Sequence, residues 1–106
     1  MKLEAVEADN TASLKQLFME CLGTFALVFV GGWAVIGADL GVVNLTGVAL
    51  AHMFVLGFMI YAGAKISGAH YNGAVSLGLW VSGHITLFKL GMYCIAQFVG
   101  SLLASL

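Results

Sequence analysis

Lys65-Ile66-Ser67-Gly68-Ala69-His70-Tyr71-Asn72-Gly73-Ala74-Val75-Ser76-Leu77-Gly78-Leu79-Trp80-Val81-Ser82-Gly83 is the stretch on which the fold turns. It is moderately apolar, yet Gly68, His70, Asn72 and Gly73 interrupt it. The spacing predicts a helix only over residues 72–83, about 18 Å at 1.5 Å per residue. That is too short to cross about 30 Å of hydrocarbon. A half-length helix behind an irregular, glycine-rich stretch reads as a re-entrant segment. Such backbone is tolerated at membrane depth only where protein covers it or water lines it.

The residues on either side supply the membrane. Of 106 residues, 61% are hydrophobic and 8% charged, where soluble domains carry about a quarter charged. Lipid is the solvent that suits such a chain. Residues 17–38, 42–64 and 85–106 are apolar runs long enough to span. Asp39-Leu40-Gly41 reads as a turn between the first two. The expected class is therefore an all-α integral membrane protein, with three transmembrane helices and one re-entrant half-helix at about 65–83.

Residues 1–16 are polar and read as a cytoplasmic tail, with Thr11 or Ser13 available to cap the first span. The tail opens with mixed, on balance acidic, charge, and the apolar run behind it exceeds a signal h-region, so no cleavable signal is expected. The positive residues are Lys2, Lys15, Lys65 and Lys89. Three spans put all of them on one side, which places the N-terminus in the cytoplasm. A net charge of −1 gives no electrostatic case for nucleic acid. Cys21 and Cys94 fall inside apolar runs and read as small buried residues, without metal-site spacing. No nucleophile–base or metal-ligand cluster points to an enzyme, and no cofactor is implied.

The run from Ile66 to Gly78 resembles the first signature loop of the major intrinsic protein family, the aquaporins and glycerol facilitators. That family writes Ser-Gly-x-His-x-Asn-Pro-Ala-Val-Thr there. Glu20-Cys21-Leu22-Gly23-Thr24-Phe25 is similar to the start of its first helix, and Tyr93-Cys94-Ile95-Ala96-Gln97-Phe98-Val99-Gly100 to its third. The resemblance covers residues 17–106, one three-helix repeat of a six-helix fold made of two inverted repeats. The family proline is replaced by Gly73, and the second asparagine loop with its filter arginine is not in this sequence.

The residues and the resemblance together nominate the site. Asn72 sits where the half-helix begins, at the positive end of its dipole. Its amide is placed to donate to a passing water; the plainer role is a helix cap. Gly73 and Ala74 complete the motif, and Gly73 takes the first helical position, which proline suits. The resemblance implies that carbonyls of Gly68, Ala69, His70 and Tyr71 line the passage. It implies that Glu20 braces the loop, accepting hydrogen bonds that include one from His70. Without the resemblance, an intramembrane carboxylate is a functional residue by default, or one that reaches the interface.

His52 matches, by spacing from Asn72, the family's outer filter; a core histidine bonded to a backbone carbonyl is the alternative. Leu56 and Val75 are candidate wall residues. Gln97 is expected to join helices, and Ala96, Gly100 and Ala104 form a small-residue stripe for close packing. Asn44-Leu45-Thr46 matches a glycosylation sequon close to the membrane.

Passive conduction of water or small neutral solutes such as glycerol is the leading functional reading. The second is a non-conducting half-channel that associates with full-length relatives. A small proton-coupled exporter with a first-span glutamate is a third, but it needs an uninterrupted span where Ser67 to Gly73 stand. The partners implied are the bilayer, the solute, and either further copies of the chain or a second half-repeat.

Overall fold

The structure, a computed structural model, describes residues 11–106. The tail expected over 1–16 lies for the most part outside the described residues. Four helices follow in order: α1 (Leu14–Asp39), α2 (Leu45–Gly63), α3 (Gly73–Val81) and α4 (Leu87–Ser105). No strand is present among the described residues. Helices α1, α2 and α4 are long and apolar enough to cross a membrane. The fold is the all-helical half-repeat that the sequence led us to expect.

Each helix starts on a side chain that can satisfy orphan N–H groups. Ser13 caps α1 in a reciprocal box: its Oγ accepts from Gln16 N–H at 3.1 Å, and Gln16 Oε1 accepts from Ser13 N–H at 3.0 Å. The helix thus begins at Leu14, earlier than the polar run Lys15-Gln16 suggests. Asn44 caps α2, accepting from Gly47 N–H at 2.8 Å, and Thr86 caps α4. Asn44 is therefore occupied as a helix cap within the sequon. The nine residues of α3 rise only about 14 Å.

Antiparallel α1 and α2 are joined by a tight turn, with Gly41 in the left-handed region at φ 75°. The two helices are locked side to side by glycine notches, described below. α4 runs parallel to α1: Leu14, Leu17 and Phe18 share a groove with Met92 and Ile95, while Trp33 and Ile36 share another with Ser105 and Leu106. The crossing is close because Gly100 meets the α1 backbone at the Cys21 carbonyl, where a Cβ has no room. Ala96 is buried in the same stripe, as the small-residue rule expects.

Burial is inverted relative to a soluble protein. Phe18, Phe54, Phe58, Phe88 and Phe98 are exposed, whereas Glu20, Thr24, Ser67, His70, Ser76, Lys89 and Gln97 are buried. A polar knot inside an apolar shell suits lipid outside and satisfied hydrogen bonds within. Lys89 departs from the simple picture of an interfacial lysine. It is 3% exposed, with Nζ over the Tyr93 ring at 5.4 Å from the centroid, one helical turn ahead in α4.

Candidate functional site

Glu20 organises the loop between α2 and α3. It is 0% exposed, and its carboxylate accepts four hydrogen bonds. Ser67 Oγ–H donates to Oε2 at 2.6 Å and His70 N–H to Oε2 at 3.0 Å. Tyr71 N–H donates to Oε1 at 2.8 Å and Gln97 Nε2 to Oε1 at 2.9 Å. An ionised carboxylate has about four acceptor positions, and all are used. The two consecutive loop N–H groups form an anion-holding concavity of the kind that successive N–H groups make where a turn includes left-handed residues. Gly68, Ala69 and Tyr71 indeed have φ of 88°, 54° and 56°. Two of these are not glycine, a local cost that the carboxylate offsets.

The trans peptide turns this pinning into a direction. N–H and C=O of one peptide unit point opposite ways. With His70 N–H and Tyr71 N–H aimed at Glu20, the carbonyls of Ala69 and His70 must point away from it. Ala69 N–H donates to Ser67 Oγ at 3.1 Å, which sends the Gly68 carbonyl outward too. The Ser67 carbonyl is instead taken by Tyr93 Oη–H at 2.6 Å.

The side chains of the loop are anchors. The Tyr71 ring lies in two notches, at Gly23 of α1 and Gly63 of α2, where any Cβ would collide with it. Its Oη donates to the Met59 carbonyl at 2.7 Å. His70 pairs through Nδ1 with Ser76 Oγ at 2.8 Å and packs on Tyr93 with ring centroids 4.8 Å apart. Gln97 Nε2 reaches Ser76 Oγ at 3.1 Å as well as Glu20, so one amide joins α4 to α1 and α3. Gln97 Oε1 is buried without a partner among the described residues.

On the far side of the loop lies a groove of about 240 Å³, lined by Leu27, Leu56 and Ile60, with Ala69, His70, Tyr71, Asn72 and Val75. Asn72 is the N-cap of α3; its Oδ1 accepts from Ala74 N–H at 2.7 Å. That bond fixes the amide and leaves Nδ2 as a donor at the helix N-terminus. Asn72, Val75 and Leu56 are exposed, so the groove is open on one side. Gly73 is the first residue of α3. A Cβ there would meet only ordinary contacts, Cys94 Sγ at 3.7 Å and Gln97 Oε1 at 3.9 Å. Both cysteines are free thiols.

Most of the residues nominated from the sequence come together here. Gly68 and His52 do not line the groove. Gly68 is the turn that starts the left-handed run. His52 sits one turn from Leu56, with Nδ1 bonded to the Val48 carbonyl at 2.9 Å. Leu27 and Ile60 were not singled out from the sequence, since an apolar residue in an apolar helix carries no sign of the face it takes. The anchoring ring of Tyr71 was also missed. Its signal was the pair of glycines, Gly23 and Gly63, and their proximity is tertiary.

The comparisons with known proteins agree with this geometry. The family model described as "Major intrinsic protein" matches residues 7–106. The chain is 43% identical to "Aquaporin TIP4-4" of Zea mays over 94% of its own length and 42% of the relative's. It is 42% identical to "Aquaporin Z" of Photorhabdus laumondii over 87% of its length and 41% of the relative's. It is also 39% identical to "Probable aquaporin TIP2-2" of Arabidopsis thaliana, over 94% and 43% respectively. The chain thus spans about two fifths of the length of the relatives it matches, and falls in their N-terminal part. A match over nearly the whole chain, on a three-span fold with a re-entrant half-helix, makes this protein a member of the major intrinsic protein family.

Proposed function

We propose that the chain forms one half of a passive transmembrane passage for water or small neutral solutes, with Asn72 at its centre. One observation carries the reading: Glu20 holds two successive loop N–H groups, and so turns the Ala69 and His70 carbonyls toward the groove that also holds Asn72. Acceptors followed by an amide donor suit a molecule that both donates and accepts, handed along in single file. The apolar wall of Leu27, Leu56, Ile60 and Val75 offers it nothing else to bind. Nδ2 of Asn72 and the positive end of α3 repel cations and protons at the same point. The distribution of the lysines supports a cytoplasmic N-terminus.

The open side of the groove bears on the second reading. Half of a passage needs an opposing surface, from a second half-repeat or a further copy. Without one, the chain serves as a non-conducting partner. Stopped-flow light scattering on proteoliposomes tests both. Osmotic permeability above empty liposomes, lost on Asn72→Asp, is the outcome expected for conduction. Background permeability with verified insertion means that this half does not conduct alone, leaving either a missing second half or the partner role.

A further inference from the structure

Gly31 and His52 form a pair one turn beyond the groove. Leu27 of α1 and Leu56 of α2 line it. Four residues on in α1 and four back in α2 lie Gly31 and His52, so in antiparallel helices they make the next layer toward the 40–44 turn. Gly31 is buried within α1. A Cβ on it would lie 2.5 Å from His52 Nε2, 3.0 Å from Cδ2 and 3.1 Å from Cε1. The imidazole therefore rests end-on against bare α1 backbone. Its other end is held by its own helix, with Nδ1 at 2.9 Å from the Val48 carbonyl.

These two contacts fix the chemistry of the ring. A carbonyl only accepts, so Nδ1 carries the hydrogen, and in the neutral ring Nε2 is bare. The donor is spent on Val48 and the bare nitrogen abuts Gly31. The ring is thus held between its own helix at Val48 and the α1 backbone at Gly31. We propose that Gly31 is a positioning residue: its missing side chain is the seat that holds the His52 imidazole against α1 and so sets the opening of the layer beyond Asn72. The consequence for selectivity rests on the reading of the groove as half of a passage; the seat itself does not.

A methyl at position 31 removes the seat. The α1 and α2 backbones are packed and cannot part locally, whereas the ring can swing about its side-chain bonds. It gives up the Val48 bond and moves over Leu56 and Leu27, narrowing the groove and offering a free N–H there.

The test uses the chain in lipid bilayers with ¹⁵N- and ¹³C-labelled histidine, observed by solid-state NMR. The His52 signals are identified by their loss in His52→Ala. The parent is expected to show His52 protonated at Nδ1 and bare at Nε2, with ring contacts to Gly31. In Gly31→Ala the ring signals should shift and gain cross-peaks to Leu27 and Leu56. Unchanged His52 signals in Gly31→Ala overturn the proposal. If Gly31→Ala fails to fold, the double variant Gly31→Ala/His52→Ala should fold, because the colliding ring is gone; a double variant that also fails overturns it. Where the parent conducts, Gly31→Ala should lower water permeability several-fold, and the double variant should match His52→Ala. A parent that does not conduct alone leaves permeability without a readout for the seat, which the NMR result then decides.

Discussion

The loop between α2 and α3 has two faces of opposite character. On the inner face the groups are held almost throughout, with Gln97 Oε1 the exception among the described residues: Glu20 takes four hydrogen bonds, Tyr71 fills two notches, and Gln97 and Ser76 close the knot. On the outer face, no described residue donates to the Ala69 or His70 carbonyl, and Asn72 Nδ2 donates to none. One strip of backbone is thus saturated on one side and bare on the other. The pairing is physical. Carbonyls are held bare at membrane depth only because the N–H groups behind them cannot rotate away. The comparison divides the residues: changes on the inner face should cost stability, and changes on the outer face should alter transport with the fold kept.

The largest effect is expected at Glu20. Glu20→Gln replaces one acceptor oxygen by an NH₂ group, which then faces N–H or O–H donors. At about 1–3 kcal/mol for each buried donor left unpaired, the loss should reach several kcal/mol. Denaturation of the reconstituted chain by graded SDS should show it, and amide exchange at His70 and Tyr71 should rise. Parent-like resistance would mean that the knot does not hold the loop.

Second in size is the Tyr71 seat. Gly23→Ala places a methyl inside the tyrosine ring, and forced overpacking of a filled core costs about 1–3 kcal/mol. The loss should shrink when Tyr71→Leu is added, because the smaller side chain leaves room. Equal losses in both backgrounds would show that Gly23 is needed for helix packing and not for the loop.

The outer face supplies the contrast. Asp caps a helix about as well as Asn, so Asn72→Asp should leave resistance to SDS within about 0.5 kcal/mol of the parent, the range of a neutral surface change. It replaces the Nδ2 donor at the groove with an acceptor and a negative charge. Water permeability in stopped-flow should collapse. A variant that is equally stable and equally permeable would remove Asn72 from the passage. A large stability loss would show that the two faces are not separable.

The sequence made one face of this division easier to read than the other. The spans showed in composition, and the half-helix in the spacing of Gly68, His70, Asn72 and Gly73, since short apolar segments with breakers have few fates in a bilayer. The brace at Glu20 came through the family resemblance; a lone glutamate does not announce which N–H groups it holds. The glycine seats were not legible. Gly23, Gly31 and Gly63 stand in apolar helices where a small residue suits lipid, helix or ring alike, and only the tertiary pairing with Tyr71 and His52 tells them apart. Lys89 was read by its place at the start of a span, but it lies buried with its Nζ over the aromatic ring one turn on.

Gly73 lies on the seam between the two faces and gives the smallest and sharpest test. The family motif has proline here, and glycine leaves the first turn of α3 with its full backbone freedom. A Cβ would sit at 3.7 Å from Cys94 Sγ and 3.9 Å from Gln97 Oε1, contacts of ordinary length. Gly73→Ala should therefore stabilise the chain by up to about 1 kcal/mol, the gain of alanine over glycine in a helix, with no collision to offset it. Because the change faces Gln97 and not the groove, permeability should stay near the parent value. Gly73→Pro removes an N–H that no helix bond needs at this position, and should gain stability on the same footing. If either variant instead loses stability, the glycine is required by the inner face, through the buried Gln97 Oε1 that it leaves room beside. If stability rises while permeability falls, the freedom of the first turn belongs to the passage.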